Sequence, residues 1–133
     1  MAMILALDTN AYSDFRRVGK WSSAVAAAAS VVIPFVVLAE LRSGFALGAQ
    51  TEKNLVALRE FLEADIVQLV YADVDTTVHY AELFLQLRRA GRPIPTNDIW
   101  IAALCVQHGF VLATGDQHFH QMRQLSLAVD AGS

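Results

Sequence analysis

The sequence predicts an α/β three-layer fold, in which helices flank a central, mainly parallel sheet of four or five short strands. Two observations indicate this class. Short apolar runs alternate with longer helical segments along the whole chain, and each run ends at a polar or turn-forming residue. The length of 133 residues and the hydrophobic content of 55% suit one sizeable core, so we expect a single domain over residues 1–133.

The first half of the chain predicts two strands that are separated by helices. The apolar run 3–7 stops at a polar turn and is typical of a strand buried on both faces. Helices are expected over 11–17 and 21–29, the second because alanine has a high helix propensity. The β-branched run 31–33 indicates the second strand, and the following proline suits the first turn of a helix over 34–47.

The second half repeats this alternation and supplies the remaining strands. Its predicted elements are a helix over 51–64, a strand over 66–70, a helix capped by Asp75 or Thr76, a helix over 96–108, a strand over 111–113 and a short edge strand within 125–129. Prolines at positions 93 and 95 mark the loop before the last long helix.

Composition excludes several classes of protein. A net charge of -3 excludes a protein that is held on nucleic acid by its overall positive charge. Because the single Cys105 cannot form an internal disulfide, nothing indicates an oxidising compartment, and we expect a cytoplasmic protein. Residues 21–39 lack charge and are nearly long enough to span a bilayer. Their serines, Pro34 and β-branched run favour a helix, a strand and a second helix over one membrane-spanning helix. We therefore expect no membrane association.

Four carboxylates occupy positions that a parallel sheet brings together. Asp8 and Asp116 follow the first and fourth strands, whose carboxyl ends share one edge of the sheet. Glu40 lies on an apolar helix stripe, and Asp98 lies in the first turn of a late helix. Each acid also has an ordinary interpretation: turn chemistry for the first two, solvent exposure or arginine pairing for Glu40, and helix capping for Asp98.

Taken jointly, these acids predict a metal site. Converging carboxylates without equal basic partners raise one another's pKa, and a divalent cation relieves that repulsion. Oxygen ligands suit Mg²⁺ or Mn²⁺. Such an ion lowers the pKa of a bound water and stabilises charge on a phosphoryl oxygen, so the pattern indicates phosphodiester hydrolysis by a metal-activated water.

Four segments resemble the PIN-domain ribonucleases, in particular the small VapC-type toxins of VapBC toxin-antitoxin modules. The resemblance runs through the segments 4–10 (ILALDTN), 37–41 (VLAEL), 91–103 (GRPIPTNDIWIAA) and 112–119 (LATGDQHF). Their order and the size of the chain are those of the family. The resemblance implies a PIN-like, Rossmann-like sheet, a metal-dependent endoribonuclease that uses Mg²⁺ or Mn²⁺, and inhibition by a cognate antitoxin that covers the active site.

The resemblance also implies roles for individual residues. Asp8, Glu40, Asp98 and Asp116 are the expected catalytic metal ligands, the last directly or through water, while Thr9, Asn10 and Thr114 support them and Asn97 braces Asp98. Some relatives carry a further acid shortly after the fourth, where this chain has Gln117, His118 and His120. The number of metal ions therefore stays open.

Basic and apolar residues indicate partners. Arg16, Arg42, Arg88, Arg89 and Arg92 are candidate contacts to RNA phosphates, although a solvated helix end explains such residues equally well. We expect an amphipathic antitoxin segment to dock on the helical region from Tyr12 to Trp21 and on the helix with Phe45 and Leu47. A homodimer is expected through the helix around 78–87.

Three other functions fit parts of the pattern. A phosphoryl-accepting hydrolase or receiver domain also places an aspartate after its first strand, but the companion acids and lysine that those enzymes use are missing. A zinc site from Asp116, His118 and His120 is conceivable, although surface histidines are the simpler interpretation. The non-enzymatic alternative is a catalytically weak PIN-like module that binds RNA or protein, and the presence of all four acids disfavours it.

Overall fold

The computed structural model describes residues 2–130, which form five strands and six α-helices. The elements are β1 (Ile4–Leu7), α1 (Thr9–Val18), α2 (Ser22–Ala27), β2 (Ser30–Pro34), α3 (Phe35–Leu47), α4 (Thr51–Glu63), β3 (Val67–Val70), α5 (Val74–Arg89), α6 (Thr96–His108), β4 (Val111–Ala113) and β5 (Ser126–Leu127). A 3₁₀ helix, Gln117–Gln121, lies between β4 and β5. The ends of the expected domain, residues 1 and 131–133, lie outside the described residues.

The strands form one parallel sheet in the order β3-β2-β1-β4-β5. Leu5 of β1 pairs with Val31 on one side and with Val111 on the other, so β1 is the central strand. The chain builds outward from β1 to β3 and then crosses to β4, and the strand order therefore reverses between β1 and β4. Ligands of open α/β sheets bind at the carboxyl ends of the strands at such a reversal.

The helices pack in the layers that this topology requires. Because parallel crossovers are right-handed, α1–α4 lie on one face of the sheet and α5 and α6 on the other. In agreement, α1 packs on α3, α3 on α4, and α5 on α6. The expected α/β fold with a central parallel sheet is confirmed.

The core is centred on β1 and α6. Leu5, Ala6 and Leu7 are fully buried, as expected for a strand covered on both faces. The long apolar stretch 21–39 divides into α2, β2 and the beginning of α3, as the sequence predicted. Within residues 2–130, no helix combines the length and the apolar character needed to cross a membrane.

Two local predictions were wrong. Pro34 is not in the first turn of α3: its backbone is extended, and it pairs with Val70 as the last residue of β2. The cap of α5 is Asp73 rather than Asp75 or Thr76, so the helix begins at Val74. Three polar residues within four positions left the choice of cap ambiguous in the sequence.

The cap of α5 also joins this helix to α6. The Asp73 carboxylate accepts a hydrogen bond from the Thr76 backbone N–H (3.1 Å), while the Asp73 N–H donates to the Thr76 hydroxyl (2.9 Å). Gln107 of α6 donates to Asp73 (2.9 Å), and its carbonyl oxygen lies 2.5 Å from the buried Thr76 hydroxyl. The Gln107 and Thr76 hydrogen bonds hold the pKa of Asp73 below its usual value.

We predict that Thr76→Val lowers the free energy of unfolding by about 1–3 kcal/mol, because the hydroxyl half of the capping box and the hydrogen bond between the buried Thr76 hydroxyl and Gln107 are lost together. Chemical denaturation measures the effect. Thr77→Val is the matched control, since among residues 2–130 the exposed Thr77 hydroxyl bonds only to Val74 O in its own helix. Equal losses in the two variants would contradict the assigned role of Thr76.

Candidate functional site

A cleft of about 260 Å³ opens at the carboxyl ends of β1 and β4, where the strand order reverses. It brings together all four acids that the sequence singled out. The cleft is lined by Asp8, Thr9, Asn10, Glu40, Pro95, Asp98, Ile101, Asp116 and His118. No lysine or arginine of the described chain lines it.

Asp8 is the most buried of the four acids, with 5% of its surface exposed. It caps α1, because its Oδ1 accepts a hydrogen bond from the Ala11 N–H (2.8 Å). Its Oδ2 accepts a hydrogen bond from the buried Thr114 hydroxyl, which follows β4. Asp8 therefore both caps a helix, as its ordinary interpretation predicted, and lines the cleft.

Glu40 reaches the cleft from α3 and is held by α1. The Thr9 hydroxyl donates a hydrogen bond to Glu40 Oε1 (2.6 Å) across 31 positions of sequence. Within residues 2–130, neither Arg16 nor Arg42 forms a salt bridge with Glu40. The alternative of arginine pairing is excluded for the described part of the chain.

Asp98 and Asp116 approach each other from α6 and from the segment after β4. Asp98 lies in the first turn of α6, but the cap position is Pro95, and the Asp98 side chain instead contacts a histidine. Asp116 donates its backbone N–H to the Thr114 hydroxyl (3.0 Å), which fixes the turn after β4. Thr114 thus positions both Asp8 and Asp116.

The histidine between these two acids is His118, which sequence reasoning treated as a surface residue. Its Nδ1 lies 3.0 Å from Asp98 Oδ2 and 3.3 Å from Asp116 Oδ1. Within the described chain, Asp98, Asp116 and His118 form the group whose spacing suits a metal ion. His120 is exposed and outside this group, so the combination of His120 with Asp116 and His118 is not present.

The electrostatics of the cleft favour a bound cation. Burial raises the pKa of Asp8 to about 6, with smaller contributions from Asp116 and Asp98 and with opposing hydrogen bonds from Thr114 and Ala11. Burial also raises the pKa of Asp98, against the hydrogen bond from His118. Neighbouring carboxylates that resist ionisation are stabilised by a divalent ion, and three or four carboxylates with one imidazole are suitable donors for it.

Two of the expected supporting residues make the hydrogen bonds described above, Thr9 to Glu40 and Thr114 to Asp8. Asn10 lines the cleft and is exposed. Asn97 is exposed, does not line the cleft and makes no side-chain hydrogen bond within residues 2–130, so it does not brace Asp98 in this conformation.

None of the five candidate substrate arginines lines the cleft. Arg16 lines a separate cavity beside Phe45, Arg42 lines another beside Leu58, and the Arg88 guanidinium lies 5.5 Å from the centre of the Phe84 ring. Arg89 is exposed, and Arg92 lines a cavity beside Arg123; both belong to or follow the end of α5. Their contact with RNA stays a prediction.

Residues 5–125 match the model of the PIN domain family. The chain is 34% identical to a plasmid stability protein StbB from Pseudomonas syringae pv. tomato, over 85% of this chain and 88% of that protein. It is 30% identical to the VapC ribonuclease Y4jK from Sinorhizobium fredii, over 85% and 87%. The structure of VapBC-1 from nontypeable Haemophilus influenzae superposes with a TM-score of 0.84 at 26% identity, over 95% of this chain and 97% of the chain in that structure.

We predict that, in metal-free protein, Asp8→Asn gains stability relative to the wild type as the pH rises from 4 to 7. The carboxyl of Asp8 has its pKa raised from 3.8 to about 6 in the folded state. Between these values the native state binds more protons than the unfolded state, so the wild type loses stability as the pH rises, by about 2–3 kcal/mol.

Denaturant unfolding of both proteins in a chelator, at several pH values, measures this difference. A difference between the two free energies that stays constant from pH 4 to pH 7 would contradict it. The same comparison with Asp65→Asn, which changes an exposed acid outside the cleft, is expected to show no such trend.

Proposed function

This chain belongs to the PIN domain family, and from that membership we propose that it is a VapC-type toxin: a metal-dependent endoribonuclease that hydrolyses phosphodiester bonds of cytoplasmic RNA and is inhibited by a cognate VapB-like antitoxin. The observation that carries the proposal is the convergence of Asp8, Glu40, Asp98 and Asp116 in one cleft that no arginine or lysine of residues 2–130 lines.

Those four carboxylates are the residues that would hold the ion. Carboxylate oxygens suit Mg²⁺, for which Mn²⁺ is the usual substitute. When bound, the ion supplies positive charge for the phosphate and lowers the pKa of water enough to make it a nucleophile at neutral pH.

The protein's own groups keep the acids in place before any ion binds. Ala11 N–H and the Thr114 hydroxyl hold both oxygens of Asp8, and the Thr9 hydroxyl holds one oxygen of Glu40. Because these donors come from fixed positions next to β1 and β4, the ligands do not have to be gathered when the ion arrives. Such preorganisation is what a catalytic metal site requires.

The basic residues would hold RNA outside the acidic cleft. Arg88, Arg89 and Arg92 lie at and just after the end of α5, and the loop that follows leads to Asp98 at the start of α6. Phosphates flanking the scissile bond could be bound there while the scissile phosphate occupies the cleft. A structured RNA would be cut most readily in a loop, where the bases are unstacked.

The antitoxin would dock on a second cavity of about 450 Å³ between α1, α3 and α4. Phe45 supplies apolar surface, while Arg16, Arg17 and Lys53 supply positive charge. This mixture suits an amphipathic helix with acidic residues. Leu47, which is almost fully exposed at the end of α3, is a further apolar side chain on the same helix as Phe45. Trp21 and most of Tyr12 are buried in the core and are not available for docking.

A homodimer would use α5, which leaves apolar side chains in solvent. Val74, Val78, Phe84 and Leu85 of this helix are all exposed. Exposed apolar side chains on one helix are typical of a protein interface rather than of a solvated face. This surface is distinct from the cleft and from the proposed antitoxin groove.

We predict that Asp98→Asn lowers the rate of RNA cleavage by at least about 100-fold, because the ion loses a charged ligand in the cleft. Sequencing of new RNA 5′ ends after expression of the wild type and of the variant measures the loss in cells. The variant's unfolding curve shows that it is folded. Asp65→Asn, the same substitution at an exposed position, is expected to leave cleavage unchanged.

The same experiment separates catalysis from the alternative of a catalytically weak binding module. Identical 5′ ends from the wild type and from Asp98→Asn would exclude this acid from the reaction. Binding of RNA without any new 5′ ends from the wild type in Mg²⁺ or Mn²⁺ would establish the binding module instead.

We predict that Lys53→Glu weakens binding of the cognate antitoxin by at least about tenfold, since it reverses a charge in the proposed groove. Isothermal titration calorimetry measures the affinity. Arg59→Glu is the matched control, because it reverses a charge on the same helix, α4, but lies in a different cavity. If both variants weakened antitoxin binding equally, the cavity between α1, α3 and α4 would not be the docking site.

A further inference from the structure

His118 brings a nitrogen atom into a cleft whose other ligand candidates are carboxylate oxygens. Its Nδ1 is 3.0 Å from Asp98 Oδ2 and 3.3 Å from Asp116 Oδ1. Adjacent ligands of an octahedral ion with bonds of 2.0–2.1 Å are about 2.9 Å apart. The two distances from Nδ1 are therefore close to the separation of neighbouring ligands around one ion, and ligand atoms of all three residues lie within 4.8 Å of one another.

The backbone holds His118 in this position. The Asp116 carboxylate accepts a hydrogen bond from the His118 N–H (2.9 Å), which begins the 3₁₀ helix. The next residue, Phe119, is 1% exposed, and Met122 just after this helix is 2% exposed. With these side chains fixed in the core, His118 is the residue of this short helix that turns to the cleft.

A role limited to hydrogen bonding is the alternative. In that case His118 is only a donor to Asp98 and Asp116. A metal ion held by both acids would then lie next to the Nδ1–H group, and the positive ion would repel the positive hydrogen of that group. The ring would have to turn away or present a bare nitrogen, and the position of Nδ1 within 3.3 Å of both acids favours the second outcome.

We infer that His118 Nδ1 is a ligand of the ion held by Asp98 and Asp116, and that the site consequently binds Mn²⁺ in preference to Mg²⁺. The inference rests on the proposed metal-dependent function and adds a ligand to it. Carboxylates and water suit both ions, whereas imidazole nitrogen favours first-row transition ions over Mg²⁺. The nitrogen of His118 is thus the ligand that makes the site prefer Mn²⁺ to Mg²⁺.

The test uses the full chain loaded with Mn²⁺ and two variants, His118→Gln and His120→Gln. Electron spin echo envelope modulation detects a nitrogen bonded to Mn²⁺ directly and does not depend on activity. We expect nitrogen modulation in the wild type and in His120→Gln, whose imidazole is exposed outside the cluster, and its loss in His118→Gln. Calorimetry with each ion is expected to show a ratio of Mn²⁺ to Mg²⁺ affinity that is at least about tenfold lower in His118→Gln.

Each other outcome overturns a defined statement. If Mn²⁺ binds to the wild type and is lost in Asp98→Asn, but no nitrogen modulation appears, His118 is not a ligand and the metal-dependent function stands. Modulation that persists in His118→Gln has the same meaning. If the wild type binds neither Mn²⁺ nor Mg²⁺, both the inference and the metal-dependent function are wrong.

Discussion

The burial of the Asp8 carboxylate is the constraint on which the site depends. A carboxylate that is 95% covered is costly to ionise, and here burial raises its pKa to about 6. Its two oxygens are nevertheless held by the Ala11 N–H and the Thr114 hydroxyl, donors from the helix after β1 and from the turn after β4. The fold therefore fixes an acid whose ionisation lowers the stability of the protein, and a positive charge that arrives from outside would offset that loss.

The topology explains why Asp8 is buried at all. β1 is the central strand, so the residue that follows it leaves the sheet in the middle of its edge, beneath the starts of α1 and α6 and beside the turn after β4. Asp116 arrives from β4, which is paired with β1 through Leu7 and Ala113. Glu40 and Asp98 come from helices on the two faces. One strand reversal thus brings acids from four distant segments to a single cleft.

The sequence predicts well the bounds of elements with a strong hydrophobic pattern. It predicts poorly those details, such as a helix cap, for which several neighbouring residues are equally suitable. β1, α6 and β4 were predicted within one residue, because a central strand and a buried helix have few polar positions. The predicted cap of α5 was wrong because Asp73, Asp75 and Thr76 are all good caps, and Asp73 is distinguished by its reciprocal hydrogen bonds with Thr76 and by the contact with Gln107. The four acids were located as a set through the parallel sheet, but the side chain of His118 was missed, since its direction is set by a 3₁₀ helix that leaves no periodic signal.

The separation of the basic residues from the acids follows from the same electrostatics. An arginine within the cleft would form a salt bridge with a carboxylate, compete with the ion and lower the pKa of the acid that it paired with. In the described chain, the candidate RNA-binding arginines lie instead on other cavities and at the end of α5. An RNA strand is longer than one phosphate, so under the proposed function those arginines would bind neighbouring phosphates while one phosphate meets the ion. The acidic total charge is therefore compatible with a polyanionic substrate, because the acids and the arginines lie in different places on the protein.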